Sequence, residues 1–415
     1  MTKFLIIAGD FNDTANPDGS YGRPSSLANK IVETISRPDI LNFRIRPESK
    51  LFLSDITFVN GGKYQTLIDI AENNSEYNLK NYDVVFWFPN VDNDLPKFRD
   101  IKSVNPKCML INSKRNDDEK YSFNELIQKS LVQKANMTFE FSKQSDGKFK
   151  IRVFDPLGCV YADTTDIIEA VSCTLERLEY IMSITRQPTV NAPEDKNLIM
   201  KWYFDQFKQP EYKSDKIIPV PDEQKFVDIV RHYAHKFQEF MPHTCKTERF
   251  IGNASLKPSP NELIKGRCGK GMPSFRHDGD YIFVSKRNID KQFIELDNFV
   301  PVYLEDDKLY YCGDEKPSVD TPVQVRLYKA LPNINYVLHS HCYIEDAPFT
   351  LTAIPCGAIE EFDEIIKAID LYFNNRNMSC YALNLIGHGS IVMANNLDAF
   401  NNIKYKARNI PEKLN

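Results

Sequence analysis

The sequence predicts an α/β protein built from two parts. Over residues 1–185, short apolar runs alternate with amphipathic segments, and this alternation favours a parallel, Rossmann-like sheet flanked by helices. Residues 186–223 then contain five prolines and are predicted to connect two domains. Residues 224–415 contain all seven histidines of the chain, and three of these fall in two short, apolar-flanked segments in the last third of the sequence.

The elements of the first part follow from its hydrophobic pattern. Apolar runs closed by turn residues predict strands at residues 4–8, 56–59, 84–88 and 108–112. Amphipathic segments predict helices at residues 25–35, 64–72, 122–135 and 166–184. Ser122 and Glu125 have the spacing of a capping box at the start of the third helix. Two further strands, residues 137–142 and 149–154, flank a turn at Asp146-Gly147 and are predicted to be antiparallel.

Composition narrows the class of protein. The 415 residues are 42% hydrophobic and carry a formal net charge of -5, so no nucleic-acid-binding surface is expected. No apolar run reaches the roughly 18 residues that a membrane span needs, so no membrane segment is expected. The nine cysteines are scattered and include no Cys-x-x-Cys pair, which favours a reducing, cytoplasmic location.

Three histidines in the last third of the chain form a candidate metal site. His339 and His341 end the apolar run Tyr336-Val337-Leu338, and alternate side chains of a strand share a face. His388 lies between two glycines that permit a tight turn. Three such ligands would leave a coordination position open, as catalytic zinc requires. Spacing alone leaves the alternative of a polar strand end open. Cys342 would point away from both histidines, and we interpret it as a core residue.

The sequence around these histidines resembles the class II aldolase/adducin superfamily over about residues 225–400. The resemblance rests on several short motifs in the family's order. They are Gly252-Asn253-Ala254-Ser255, the strand and loop at residues 281–288, Lys316-Pro317-Ser318-Val319-Asp320, His339-Ser340-His341, Gly387-His388-Gly389, and the segment at residues 396–400.

The resemblance implies both a fold and a site. Residues 224–415 would form an α/β domain around a mainly antiparallel sheet, and the protein would be a homo-oligomer, because family members build their sites at subunit interfaces. A divalent metal, most often zinc, would be bound by His339, His341 and His388. Asp320 stands where the family has a glutamate, and would be the general base or acid with a shorter reach.

The family's anion-binding positions are only partly kept here. The resemblance implies that Asn253, Ser318 and, more weakly, Ser285 bind an anionic group of the substrate. Val319 replaces the second serine of the family's Pro-Ser-Ser segment, and the loop after Ser285 lacks the usual glycine. Arg287 is a candidate clamp for phosphate or carboxylate, with a solvent-facing role as the alternative.

The expected function is therefore a metal-dependent lyase or isomerase. Its substrate would be a carbonyl-bearing, phosphorylated or otherwise anionic small molecule, and a metal-stabilised enediolate would form as a C–C or C–H bond breaks. Two alternatives stay open. One is a non-catalytic, adducin-like association module. The other is a two-domain biosynthetic enzyme whose first domain binds a nucleotide or flavin, at the polar loop after the first strand (residues 9–26) or a neighbouring strand end.

Overall fold

The computed structural model divides the chain into two compact units. One unit comprises residues 1–206 together with 411–415, and the other comprises residues 207–410. The structure describes residues 2–37, 55–72, 76–91, 101–105, 107–156, 158–186, 206–240, 271–277, 281–287, 289–408 and 412–413. Within these residues, no helix is both long enough and apolar enough to cross a membrane.

The first unit contains an eight-stranded sheet that confirms the predicted Rossmann-like class. Its strands are β1 (Lys3–Asn12), β2 (Asp55–Lys63), β3 (Val84–Asn90), β4 (Met109–Arg115), β5 (Met137–Lys143), β6 (Phe149–Phe154), β7 (Cys159–Thr164) and, from the C-terminal segment, β18 (Glu412–Lys413). Their order is β18-β7-β6-β5-β4-β3-β1-β2. The pairs among β1 to β5 are parallel, whereas β6 is antiparallel to both of its neighbours, as the turn before it predicted for β5 and β6.

The described helices of the first unit include the four that the sequence predicted. They are α1 (Ser26–Ser36), α2 (Tyr64–Ala71), α3 (Ile101–Val104), α4 (Phe123–Val132) and α5 (Ile167–Ile184). The Ser25 and Asp166 side chains accept hydrogen bonds from the first turns of α1 and α5. At α4, the Glu125 amide donates to the Ser122 hydroxyl and the Ser122 amide donates to the Glu125 carboxylate. This is the predicted capping box.

The second unit contains a mainly antiparallel sheet, in agreement with the implied fold. Its strands are β8 (Glu211–Ser214), β9 (Gly271–Arg276), β10 (Ile282–Ser285), β11 (Phe299–Glu305), β12 (Lys308–Cys312), β13 (Tyr336–Ser340), β15 (Cys380–Leu385) and β16 (Gly389–Ala394). Their order is β15-β16-β13-β9-β10-β11-β12-β8, and β8 and β12 form the parallel pair. A separate ribbon pairs β14 (Tyr343–Ile344) with β17 (Tyr405–Lys406).

Helices pack on both faces of the second sheet. They are α6 (Gln224–Phe240), α7 (Thr321–Ala330) and α8 (Glu360–Tyr372). Apolar residues of α6 form one core with Leu338 of β13, whereas those of α7 and α8 form another with Val337. Because strand side chains alternate, His339 lies on the same face as Val337, towards α7 and α8.

Two short strands extend the units beyond the domain limits expected from sequence. β8 lies inside the predicted connection at residues 186–223, yet it pairs with β12 of the second sheet. β18 lies inside the predicted second domain, yet it pairs with β7 of the first sheet. Short edge strands of this kind show too little alternation to be recognised before their distant partners are known.

Candidate metal and catalytic site

Three histidine rings meet at one end of β13 and β16. The ring centroids of His339 and His341 are 5.3 Å apart, and that of His388 lies 4.6 Å and 5.0 Å from them. Each ring offers one nitrogen atom that lies within 4.8 Å of the other two. His339 and His388 are almost fully buried, whereas His341 is partly exposed. The predicted ligand set is thus grouped closely enough for a single ion to bind all three.

Gly389 is what permits the approach of His388. The β13–β16 ladder pairs His339 with Ile391 and Ser340 with Ser390, so the turn before β16 lies against the end of β13. A Cβ atom at Gly389 would lie 1.9 Å from the Ser340 carbonyl oxygen, closer than any side chain allows. Gly387 has a positive φ of 72°, which favours glycine there as well. Each position therefore requires glycine for a different reason: Gly389 because a side chain would clash, and Gly387 because its φ is positive.

Hydrogen bonds at Nδ1 set the orientation of two of the rings. His339 Nδ1 lies 2.8 Å from the Ser390 carbonyl oxygen, and His388 Nδ1 lies 2.6 Å from Glu361 Oε1. Each Nδ1–H donates in the tautomer that leaves Nε2 with its lone pair. Burial, with a smaller contribution from nearby His388, lowers the pKa of His339 to about 3. A neutral ring with an available Nε2 is the form that ligates metals.

The buried nitrogen atoms fit a divalent transition metal. The Nε2 atoms of all three histidines are buried, and that of His339 has no hydrogen-bond partner among the described residues. A buried polar atom in that condition is costly unless a ligand satisfies it. Imidazole donors suit zinc, and also iron or cobalt. The three imidazoles therefore fit a divalent transition metal, as the sequence motif suggested.

Glu361 is a site residue that the sequence reasoning missed. It lies in the first turn of α8, is buried, and its Oε1 atom lies 2.6 Å from His388 Nδ1. Burial raises its pKa well above the usual range, whereas a cation bound at His388 would favour its ionised form. Its signal was present in the sequence. Glu361 occupies the same helix stripe as Ile365, Ala368 and Ile369, and a carboxylate in an apolar stripe is unusual.

Asp320 faces the histidines from the start of α7. It occupies the N-cap position, but its carboxylate makes no capping hydrogen bond. Its Oδ2 atom instead lies 3.7 Å from His339 Nε2, and the Cys356 thiol lies 3.5 Å from its Oδ1 atom. The side chain is buried with the histidines. The predicted acid–base residue is therefore placed beside the predicted metal ligands.

Of the predicted anion-binding residues, Ser285 and Ser318 lie in adjoining segments, whereas Asn253 falls outside the described residues. The Ser318 amide donates to the Ser285 carbonyl oxygen at 3.0 Å, so these two segments adjoin. The Ser285 hydroxyl is buried without a hydrogen-bond partner among the described residues. Asn253 lies in residues 241–270, outside the part of the chain that the structure describes.

Arg287 is engaged by the protein itself. Its Nη2 atom lies 2.7 Å and 2.8 Å from the two carboxylate oxygens of Glu211, and its Nε donates to the Pro317 carbonyl at 3.0 Å. Both side chains of the ion pair are largely buried. Arg287 therefore links β8 to the turn after β10 through a buried ion pair. These contacts favour a structural role for Arg287 over the expected clamp on a substrate anion.

A family comparison bears on this site. Residues 251–344 match the family model described as the class II aldolase and adducin N-terminal domain. The matched region contains Asp320, His339 and His341, while His388 lies beyond it. The resemblance read from the motifs is confirmed, and the second unit carries a class II aldolase/adducin domain.

The chain also has distant similarity to several solved structures. A DNA/pantothenate metabolism flavoprotein from Streptococcus pneumoniae is 15% identical, with 43% of this chain and 98% of that chain covered and a TM-score of 0.31. An L-fuculose 1-phosphate aldolase is 17% identical, with 43% and 80% covered and a TM-score of 0.28. An L-fuculose-1-phosphate aldolase from Thermus thermophilus is 18% identical, with 31% and 75% covered and a TM-score of 0.23. No curated protein matches the chain.

Proposed function

We propose that the second unit is a metal-dependent lyase or isomerase for a carbonyl-bearing, anionic small molecule. The observation that carries this proposal is the cluster of three histidines, two of them buried, with the Asp320 carboxylate 3.7 Å from His339 Nε2. His339, His341 and His388 would hold the metal, most suitably Zn²⁺. When bound, the metal supplies Lewis-acid stabilisation of the negative charge that develops as a neighbouring C–C or C–H bond breaks.

Asp320 would move the proton that this chemistry requires. Its carboxylate accepts a proton from a substrate hydroxyl or C–H group and returns it to the product. The side chain is not used in capping α7, and it is held among buried groups. Aspartate reaches less far than the family's glutamate, but its proximity to His339 supports a role next to the metal.

The substrate's anionic group would bind near Ser285 and Ser318. The buried Ser285 hydroxyl can donate a hydrogen bond, and Ser318 lies in the adjoining segment. Asn253 remains a prediction of the family resemblance. Arg287 is left out of this group, because Glu211 and the Pro317 carbonyl engage its guanidinium. We also expect a homo-oligomer, as the resemblance implies.

The activity test is a comparison of Asp320→Asn with the unchanged chain. Both proteins would be assayed with a panel of phosphorylated sugars and related hydroxy acids. We expect turnover to fall by about 10²- to 10⁴-fold, because the variant keeps the shape of the side chain but cannot accept the proton. Metal content should not change. Asp297→Asn, at an exposed position, is the matched control. Undiminished turnover in Asp320→Asn would remove Asp320 from the mechanism.

The two alternatives have unequal support. An association module would not need three imidazoles, two of them buried, grouped with a buried carboxylate, so the adducin-like alternative is less well supported. A cavity of about 450 Å³ supports a ligand-binding role for the first unit. It is lined by residues 11–17 and Tyr64, at the carboxyl end of β1, where open parallel sheets bind ligands. A nucleotide or flavin bound there would make the chain a two-domain enzyme.

A further inference from the structure

Cys356 lies against the candidate metal site although no sequence motif included it. It is buried in the segment before α8, and its Sγ atom lies 3.5 Å and 3.9 Å from the two carboxylate oxygens of Asp320. Asp320, Cys356 and His388 each offer a donor atom, and these three atoms lie within 4.8 Å of one another. The thiol is therefore part of a second donor group that shares His388 with the three histidines.

The two donor groups adjoin each other. His388 belongs to both, and Asp320 Oδ2 also lies 3.7 Å from His339 Nε2. That nitrogen atom is buried and has no hydrogen-bond partner among the described residues. A bound cation would satisfy a polar atom left this way beside a carboxylate and a thiol.

We propose that Cys356 is a thiolate ligand of the ion held by His339, His341 and His388. The proposal rests on the proposed metal site and deepens it. As the ion binds, the S–H bond breaks, the proton passes to water, and the sulfur donates an electron pair to the ion. Asp320 stays next to the ion as the proton-transfer group, and the ion, with four protein ligands, would accept substrate by expanding to five ligands. A thiolate is a soft donor, so the centre would select Zn²⁺ over Mg²⁺ or Mn²⁺.

Cys342 provides a matched comparison within the same unit. It follows His341 directly, but its Sγ atom lies 3.7 Å from the Phe237 carbonyl oxygen, and it packs in the core formed with α6. It is on the opposite face of the sheet from the cluster. Cys342→Ser therefore replaces a sulfur by an oxygen atom, as Cys356→Ser does, but it leaves all the proposed metal ligands unchanged.

Cobalt substitution in the full chain tests the proposal directly. Co²⁺ bound by nitrogen ligands gives visible d–d absorption, and a cobalt–thiolate bond adds a sulfur-to-metal charge-transfer band in the near ultraviolet. We expect both features in the unchanged chain. Cys356→Ser should lose the charge-transfer band and keep the d–d absorption, whereas Cys342→Ser should keep both.

The outcomes separate this inference from the function on which it rests. If the unchanged chain shows d–d absorption without the charge-transfer band, the thiolate ligand is wrong and the histidine site stands. If Cys356→Ser keeps the band, another cysteine supplies the sulfur and the proposal is overturned. If the chain binds no Co²⁺, the metal site itself fails.

A second measurement needs no variant. X-ray absorption of the zinc-loaded, unchanged chain should reveal a sulfur scatterer at about 2.3 Å in addition to nitrogen at about 2.0–2.1 Å. A shell of nitrogen and oxygen alone would overturn the proposal even if Cys356→Ser did not fold.

Discussion

At the scale of single residues, the site depends on which nitrogen of each histidine faces the ion. The Ser390 carbonyl is hydrogen-bonded to Nδ1 of His339, and the Glu361 carboxylate is hydrogen-bonded to Nδ1 of His388. Both contacts favour the tautomer with a lone pair at Nε2. Glu361 has a further effect, because its negative charge stabilises a cation bound to His388. It is a positioning residue that acts through the histidine.

We predict that Glu361→Ala weakens metal binding. Loss of this carboxylate should reduce affinity for Zn²⁺ or Co²⁺ by roughly 10- to 100-fold, since outer partners of metal-bound histidines have effects of that size. Glu361→Gln keeps an acceptor oxygen and should lose less. Competition with a chromophoric chelator measures both.

The control for this prediction is Glu364→Gln, one turn further along α8. The Glu364 carboxylate pairs instead with Lys367 Nζ at 2.8 Å. Its metal affinity should equal that of the unchanged chain. Equal affinities in Glu361→Ala and the unchanged chain would show that Glu361 only fills space.

The sequence located part of this site and missed part of it for physical reasons. His339 and His341 share a strand face at a fixed spacing, so their proximity follows from local geometry. His388 and Asp320 were placed by family motifs. Glu361 and Cys356 lie in no such motif, and they meet the histidines through packing of α8 and the segment before it. Arg287 was assigned to an anion because its acidic partner, Glu211, lies far away in sequence.

At the scale of elements, one buried ion pair attaches an edge strand to the second sheet. Glu211 begins β8, and Arg287 follows β10. Two hydrogen bonds join their side chains, and a third joins Arg287 to the Pro317 carbonyl. Such a pair holds its geometry firmly, but its removal leaves a buried charge without compensation.

We predict that Arg287→Ala destabilises the second unit. The change leaves the buried Glu211 carboxylate unpaired, which should cost about 3–5 kcal/mol in the free energy of unfolding. Urea denaturation followed by circular dichroism measures the loss. The double change Arg287→Ala, Glu211→Ala should recover part of it, because no charge is then left buried.

A neighbouring, more exposed pair provides the comparison. Lys286 Nζ lies 3.5 Å from Glu315, whose side chain is 60% exposed. Lys286→Ala should change stability by only about 0–1 kcal/mol. If Arg287→Ala lowered stability by only this amount, the Arg287–Glu211 ion pair would not be what holds β8 to the second sheet.

Elements with local signals were predictable, and those with distant partners were not. Helices α1, α4 and α5 start at capping residues that the sequence displays, and the strands β1 and β3 are continuous apolar runs. In contrast, β8 and β18 are four and two residues long. Their identity as strands depends on hydrogen bonds to β12 and β7, which local periodicity does not encode.

At the scale of the whole molecule, the chain passes between its two units at residues 206 and 207. The expected linker was the proline-containing stretch of residues 186–223, and we propose that proteases first reach its part before this point. Limited proteolysis should cut between about residues 186 and 206, because linkers between compact units have few sheet or core contacts. Mass spectrometry of the early fragments identifies the site.

The same experiment examines the domain limits. Early cleavage within residues 211–214 would argue against the placement of β8 in the second sheet. Protection of residues 186–206 together with earlier cleavage elsewhere would show that the linker is misplaced.

The central claim is that His339, His341 and His388 together bind one divalent metal ion, and elemental analysis tests it most directly. The full chain would be purified without chelator and compared with the double variant His339→Ala, His341→Ala. The control variant His232→Ala, His235→Ala removes the same number of imidazoles from exposed positions on α6. We predict about one zinc per chain in the unchanged protein and the control, and almost none in the first variant. Full metal occupancy in the His339→Ala, His341→Ala variant would contradict the assignment.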